Sequence, residues 1–142
     1  MKKLALMMVA GLTTSFAIAQ KLSDKDVPQS VKSAFQKAYP NTKEVKWDKE
    51  GSNYEAEFDY NKTDYSVLFD AKGNLIETEV EIEVSQLPKS VTEFVSKHYT
   101  GQKIKEAAKI TDAKGVVTYE AEIKGMDLLF DSKGNFIKEL KN

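Results

Sequence analysis

The sequence predicts an α+β protein built from two tandem αβ4 repeats, with helices packed on one face of an approximately eight-stranded antiparallel sheet. Three observations carry this. The chain repeats itself: Val27-Pro28-Gln29-Ser30-Val31 returns as Leu87-Pro88-Lys89-Ser90-Val91, and Tyr54-Glu55-Ala56-Glu57-Phe58 returns as Tyr119-Glu120-Ala121-Glu122-Ile123. Leu68-Phe69-Asp70-Ala71-Lys72-Gly73-Asn74 likewise returns as Leu129-Phe130-Asp131-Ser132-Lys133-Gly134-Asn135. Each repeat opens on a helical apolar period and continues in strict two-residue alternation.

The first residues stand outside the repeats. Met1-Lys2-Lys3 is basic, Leu4 to Ala10 is apolar, and Ala17-Ile18-Ala19 has the small-x-small pattern of a cleavage site. Residues 1–19 therefore read as a secretory signal peptide. Thr13, Thr14 and Ser15 interrupt the apolar run well short of the roughly 20 residues a membrane helix needs. The product is expected to be exported, periplasmic or secreted, with no membrane association after cleavage. The repeats then occupy 20–84 and 85–142, each too small to bury a stable core alone, so one shared core is expected.

In the first helix, Val27, Val31, Ala34, Phe35, Ala38 and Tyr39 form one apolar stripe. Asp24 or Asp26 can cap it, and Pro28 suits the first turn. Leu87, Val91, Phe94, Val95, His98 and Tyr99 form the second stripe, with Ser85 or Gln86 near its cap. The strands expected next are 43–48, 53–60, 64–70 and 74–84, then 106–111, 116–124, 126–131 and 135–140. Gly-bearing turns such as Asp70-Ala71-Lys72-Gly73-Asn74 join them as hairpins.

Alternation assigns faces. Tyr54, Ala56, Phe58 and Tyr60, with Tyr65, Val67 and Phe69, point to the first helix; Met126, Leu128 and Phe130 do so in the second repeat. The opposite face collects Glu55, Glu57, Asp59, Glu77, Glu79, Glu81, Glu83, Glu120 and Glu122, together with Leu68 and Leu129. Leu75 and Phe136 can extend that apolar strip. Carboxylates around an apolar strip suit a protein or peptide interface; the same carboxylates suit divalent cations. They also form, on the simpler reading, a solvated face balanced by Lys46, Lys109, Lys124 and Lys138, and the leucines can pack at the repeat junction or under a loop.

Other residues are set aside on chemical grounds. Trp47, in phase with Val45, belongs to the core, with a binding hot spot as the alternative. His98 falls on the helix stripe as a partly buried residue near a helix C-terminus. The chain has 1 His and 0 Cys, so disulfides, thiol chemistry and an N/S zinc site are excluded. The Asp70 turn lacks the acids of a calcium loop, and Asn61-Lys62-Thr63 is a sequon at a loop tip. No catalytic constellation, metal set or cofactor motif is present, so no enzymatic activity is expected. All 21 basic residues are Lys against 22 acids, which argues against nucleic acid.

The Val/Leu-Pro-x-Ser-Val helix start, the Tyr-Glu-Ala-Glu strand and the Asp-x-Lys-Gly-Asn turn resemble the PepSY-like family over roughly Leu22 to Leu140. That family consists of small exported bacterial proteins, and its tandem repeat is similar in fold to β-lactamase-inhibitor proteins. The resemblance implies a binding surface on the open sheet face. The expected function is thus an exported, non-enzymatic module engaging a protein or peptide of the cell envelope, with divalent-cation binding by the acidic face as the alternative.

Overall fold

The computed structural model describes residues 19–142; the signal-peptide reading of 1–19 falls almost wholly outside them. The chain divides into two compact units, one through Glu79 and one from Val80 to Asn142. The fold class is α+β.

In the first unit, β1 (Gln20–Leu22) precedes α1 (Gln29–Ala38), β2 (Val45–Glu50), β3 (Asn53–Tyr60) and β4 (Thr63–Phe69). The strand β5 (Leu75–Ile82) follows and crosses the unit boundary. The second unit holds α2 (Lys89–His98), β6 (Glu106–Asp112), β7 (Val117–Ile123), β8 (Met126–Asp131) and β9 (Phe136–Lys141). Within each unit the strands pair antiparallel with their sequence neighbours. The sequence reading missed β1, because three residues are too few to show a period.

Each helix covers one sheet face with its stripe. Val27, Val31 and Phe35 meet Trp47, Ala56, Phe58, Val67 and Phe69. Leu87, Val91 and Val95 meet Ala107, Ala121, Ile123, Leu128 and Phe130. Among the described residues each unit thus has a core cluster of its own. Aromatic side chains make this possible in the first unit: Phe35, Tyr39, Trp47, Phe58, Tyr60 and Tyr65 interlock at centroid distances of 4.7–6.5 Å. Trp47 is 6% exposed and packs edge-on against Phe35, as its phase with Val45 predicts.

The helix starts differ from expectation. Pro28 and Pro88 occupy the N-cap positions, and neither helix has a side-chain cap. Asp24 and Asp26 instead belong to a short 3-10 turn, where Asp24 pairs with Lys32 at 3.3 Å and Ser23 Oγ donates to Asp26. Ser85 and Gln86 sit in the equivalent turn, closed when Gln86 Oε1 accepts from the Glu83 backbone N–H at 2.8 Å.

What fastens each helix start is the Asp-x-Lys-Gly-Asn turn. Asp70 Oδ1 accepts from the backbone N–H groups of Lys72 and Asn74, both at 2.9 Å, and Asp131 does the same for Lys133 and Asn135. The side-chain amides of Asn74 and Asn135, which donate to the other carboxylate oxygen, and then these backbone bonds hold both carboxyls below their ordinary value. Ser30 Oγ then donates to the Ala71 carbonyl at 2.8 Å, and Ser90 Oγ to the Gly134 carbonyl at 3.1 Å. Glycine is required at the contact: a Cβ on Gly134 would lie 2.0 Å from Ser90 Oγ, and one on Gly73 2.6 Å from the Ser30 carbonyl oxygen. The repeated motif is thus a clasp between hairpin and helix.

Candidate functional site

The helices and the aromatic core occupy one face of each unit's strands, so the candidate site is the other face. Register fixes who meets whom there. Glu55 lies opposite Leu68 across β3 and β4, and Glu120 lies opposite Leu129 across β7 and β8. The same carboxylate-over-leucine pair therefore occurs once in each repeat. Around it stand Glu57 opposite Ser66, and Glu122 opposite both Glu106 and Asp127.

Burial on this face is deeper than alternation suggested. Leu68 and Leu129 are fully buried, so of the two readings of these leucines the exposed apolar strip is the one that fails. Glu55, Glu77, Glu79 and Glu120 are buried as well, Glu79 completely. Alternation assigns a side chain to a face but does not report how far its neighbours cover it, and β4 and β8 are inner strands with long side chains on both sides. The accessible members are Glu57, Glu81 and Glu122, half-buried, and Asp59 and Glu83, exposed.

Three further expectations change. Phe136 does not join Leu129. A register shift between Leu129 and Phe130 places Phe136 opposite Phe130, and its ring stacks on Phe94 of α2 at 4.6 Å. Lys109 pairs with Tyr119, on the helix side, and so does not balance the acidic face. Leu75 is 44% exposed. His98 is exposed, not half-buried, and lies over the Phe94 ring at 4.3 Å.

The chemistry concentrates at one end of the first unit. Carboxylate oxygens of Asp48, Glu55 and Glu57 lie within 4.8 Å of one another. Ser66 Oγ donates a hydrogen bond to Glu55 Oε1. Burial pushes the Glu55 carboxyl up to about 8; the Ser66 bond opposes this, and the charges of Glu50, Glu57 and Asp48 reinforce it. Burial raises Glu50 too, against a hydrogen bond with Glu55. In the second unit burial raises Asp127, opposed by Asn142, whose Nδ2 donates to its Oδ1 at 3.2 Å. Asp48 and Glu50 were not singled out from sequence: the strand was read as 43–48, with Lys49 and Glu50 in the following turn, whereas β2 runs on through Glu50.

A family model described as "Putative beta-lactamase-inhibitor-like, PepSY-like" matches residues 16–77 and 53–138. The chain belongs to this PepSY-like family. The two overlapping matches agree with the internal repeat. Among solved structures, a BLIP-like protein from Bacteroides fragilis is similar at 25% identity and a TM-score of 0.64, over 80% of this chain and 86% of that one. A DUF2874 family protein from Bacteroides uniformis shares 24% identity, with a TM-score of 0.67 over 80% and 88%. A "putative periplasmic" protein from Bacteroides eggerthii shares 19%, with a TM-score of 0.69 over 81% and 88%. No curated protein matches the chain. Among the described residues, no helix is long and apolar enough to cross a membrane.

Proposed function

We propose that this PepSY-like protein is an exported, non-enzymatic binding module. It engages a protein or peptide of the cell envelope through the sheet face opposite its helices. The observation that carries this reading is the buried carboxylate over leucine, made by Glu55 with Leu68 and again by Glu120 with Leu129. Burying a carboxylate costs stability, and a threonine or valine would serve the sheet better. Retaining the pair in both repeats speaks for use, and a carboxyl raised as far as that of Glu55 is typical of functional sites. Glu57 and Asp59 supply the accessible contacts in the first unit, and Glu81 and Glu122 those in the second, each unit with its own leucine beneath. The basic and apolar N-terminal sequence supports export, as does the periplasmic description of the B. eggerthii neighbour. The family's inhibitor-like description supports binding over catalysis.

A second reading, divalent-cation binding, is favoured by the convergence of Asp48, Glu55 and Glu57. One experiment separates the two. The exported protein, tagged at its C-terminus, is used as bait in the cell-envelope fraction beside a Glu81→Lys/Glu122→Lys variant and a helix-side Lys37→Glu/Lys97→Glu variant. The binding module predicts a partner kept by the parent and the helix-side variant and lost with the sheet-face variant. A partner kept by all three baits moves the site elsewhere. No partner, with a calcium-dependent rise in melting temperature that Asp48→Asn removes, replaces the first reading by the second.

A further inference from the structure

We propose that the uncovered end of β2 takes up an extended, lysine- or arginine-bearing peptide as an added strand. The site lies wholly in the first unit and shares Glu55 and Glu57 with the surface proposed above, but the Glu81→Lys/Glu122→Lys test touches neither, so either reading can fail alone.

The backbone supplies the first argument. All six residues of β2 pair with β3, whereas β1 pairs only with Trp47, Asp48 and Lys49. Val45 and Lys46 thus have no strand partner on their outer side among the described residues. An unpaired edge is a template for another strand, and adding one is a common mode of peptide recognition.

Cavities supply the second. A hollow of about 500 Å³ opens on the helix side of this edge, walled by Phe35, Tyr39, Val45 and Trp47. Another of about 560 Å³ opens on the opposite side, walled by Lys46, Asp48, Glu50, Glu55 and Glu57. An added strand sends successive side chains to opposite faces. One set would enter an aromatic hollow and the alternate set an acidic one.

Charge decides the occupant. Five carboxyl groups line the acidic hollow, those of Asp24, Asp48, Glu50, Glu55 and Glu57, against the two ammonium groups of Lys21 and Lys46; even with the proton of the buried Glu55 in place, acids outnumber ammonium groups. A peptide alternating apolar with basic side chains is complementary to both hollows, and an acidic one is repelled.

Trp47 lines both hollows and is the 1 Trp of the chain, so its fluorescence reports occupancy directly. The probe is a capped hexapeptide of alternating valine and lysine, titrated into the exported protein. The expected result is a saturable change in Trp47 emission. Replacing lysine by glutamate in the peptide, or N-methylating alternate backbone nitrogens, weakens binding at least about tenfold. Asp48→Asn with Glu57→Gln weakens the lysine peptide similarly and leaves circular dichroism unchanged. The proposal is overturned by the absence of a saturable change, by equal binding of the glutamate peptide, or by equal binding of the N-methylated one. A concentration-dependent Trp47 change without peptide, accompanied by a dimer mass, would place a second copy on the edge and also overturn it.

Discussion

Phe58→Ala is expected to cost about 3–5 kcal/mol of stability, the largest loss of any single substitution considered for this chain. Phe58 is 1% exposed at the centre of the first unit's aromatic cluster. Its ring meets Phe35 at 4.9 Å and Tyr39 at 4.7 Å, and stacks on Tyr65 at 5.7 Å. Removing it opens a void that the four rings in contact with it, those of Phe35, Tyr39, Tyr60 and Tyr65, cannot fill without leaving their rotamers. Thermal denaturation followed by circular dichroism should show the midpoint falling by roughly 10–20 °C. Val116→Ala, at a side chain 58% exposed, should stay within about 0.5 kcal/mol of the parent. Similar midpoints for the two variants would contradict the assignment of the core.

The second large effect is a pH dependence carried by Glu55. Its folded carboxyl is raised from 4.5 to about 8, so the folded state holds this proton more tightly than the unfolded chain does. Stability is then highest below the unfolded value and falls as pH climbs from about 4.5 to about 8. Each tenfold difference in proton affinity is worth about 1.4 kcal/mol. The cost is shared with Glu50, Glu57 and Asp48, so the change amounts to about 2–4 kcal/mol. Glu55→Gln keeps an acceptor for the Ser66 hydroxyl and has no charge to desolvate. Urea midpoints at pH 5 and pH 8.5 should differ clearly for the parent and little for the variant, which becomes the more stable of the two at pH 8.5. Equal slopes for both proteins would show that Glu55 is not held protonated.

Much of this architecture is legible in the sequence because burial leaves periods in it. The helix stripe through Val31 and Phe35, and its twin through Val91 and Val95, gave both helices; alternation from Tyr54 to Tyr60 gave β3 and its facing. The misses have separate physical causes. β1 is too short to carry a period. The helix starts carry acids and hydroxyls that could cap, but Pro28 and Pro88 take the N-cap positions and Ser30 and Ser90 turn to the hairpins. Phe136 changes face because a register shift interrupts the alternation on which the reading depended.

The candidate site was only half legible. Sequence alternation named its residues and the repeat named their pairing, since Glu55 with Leu68 and Glu120 with Leu129 sit at matching places in the two copies. It could not report that the leucines are covered, nor that Asp48 and Glu50 join the acidic end, because both depend on neighbours distant in sequence. Burial of those carboxylates turns an ordinary charged strand surface into a strained one. That cost is the physical reason to look for function there and not on the solvated helix surfaces.

The central claim, that the face opposite the helices engages a partner, is tested most directly by photocross-linking in intact cells. A photoreactive amino acid is placed singly at Glu57, Glu81 and Glu122 on that face, and at Lys37 and Lys97 on the helices. A discrete cross-linked species formed from the sheet-face positions and absent from the helix positions is the predicted result. Cross-links from Lys37 and Lys97 alone would contradict the account.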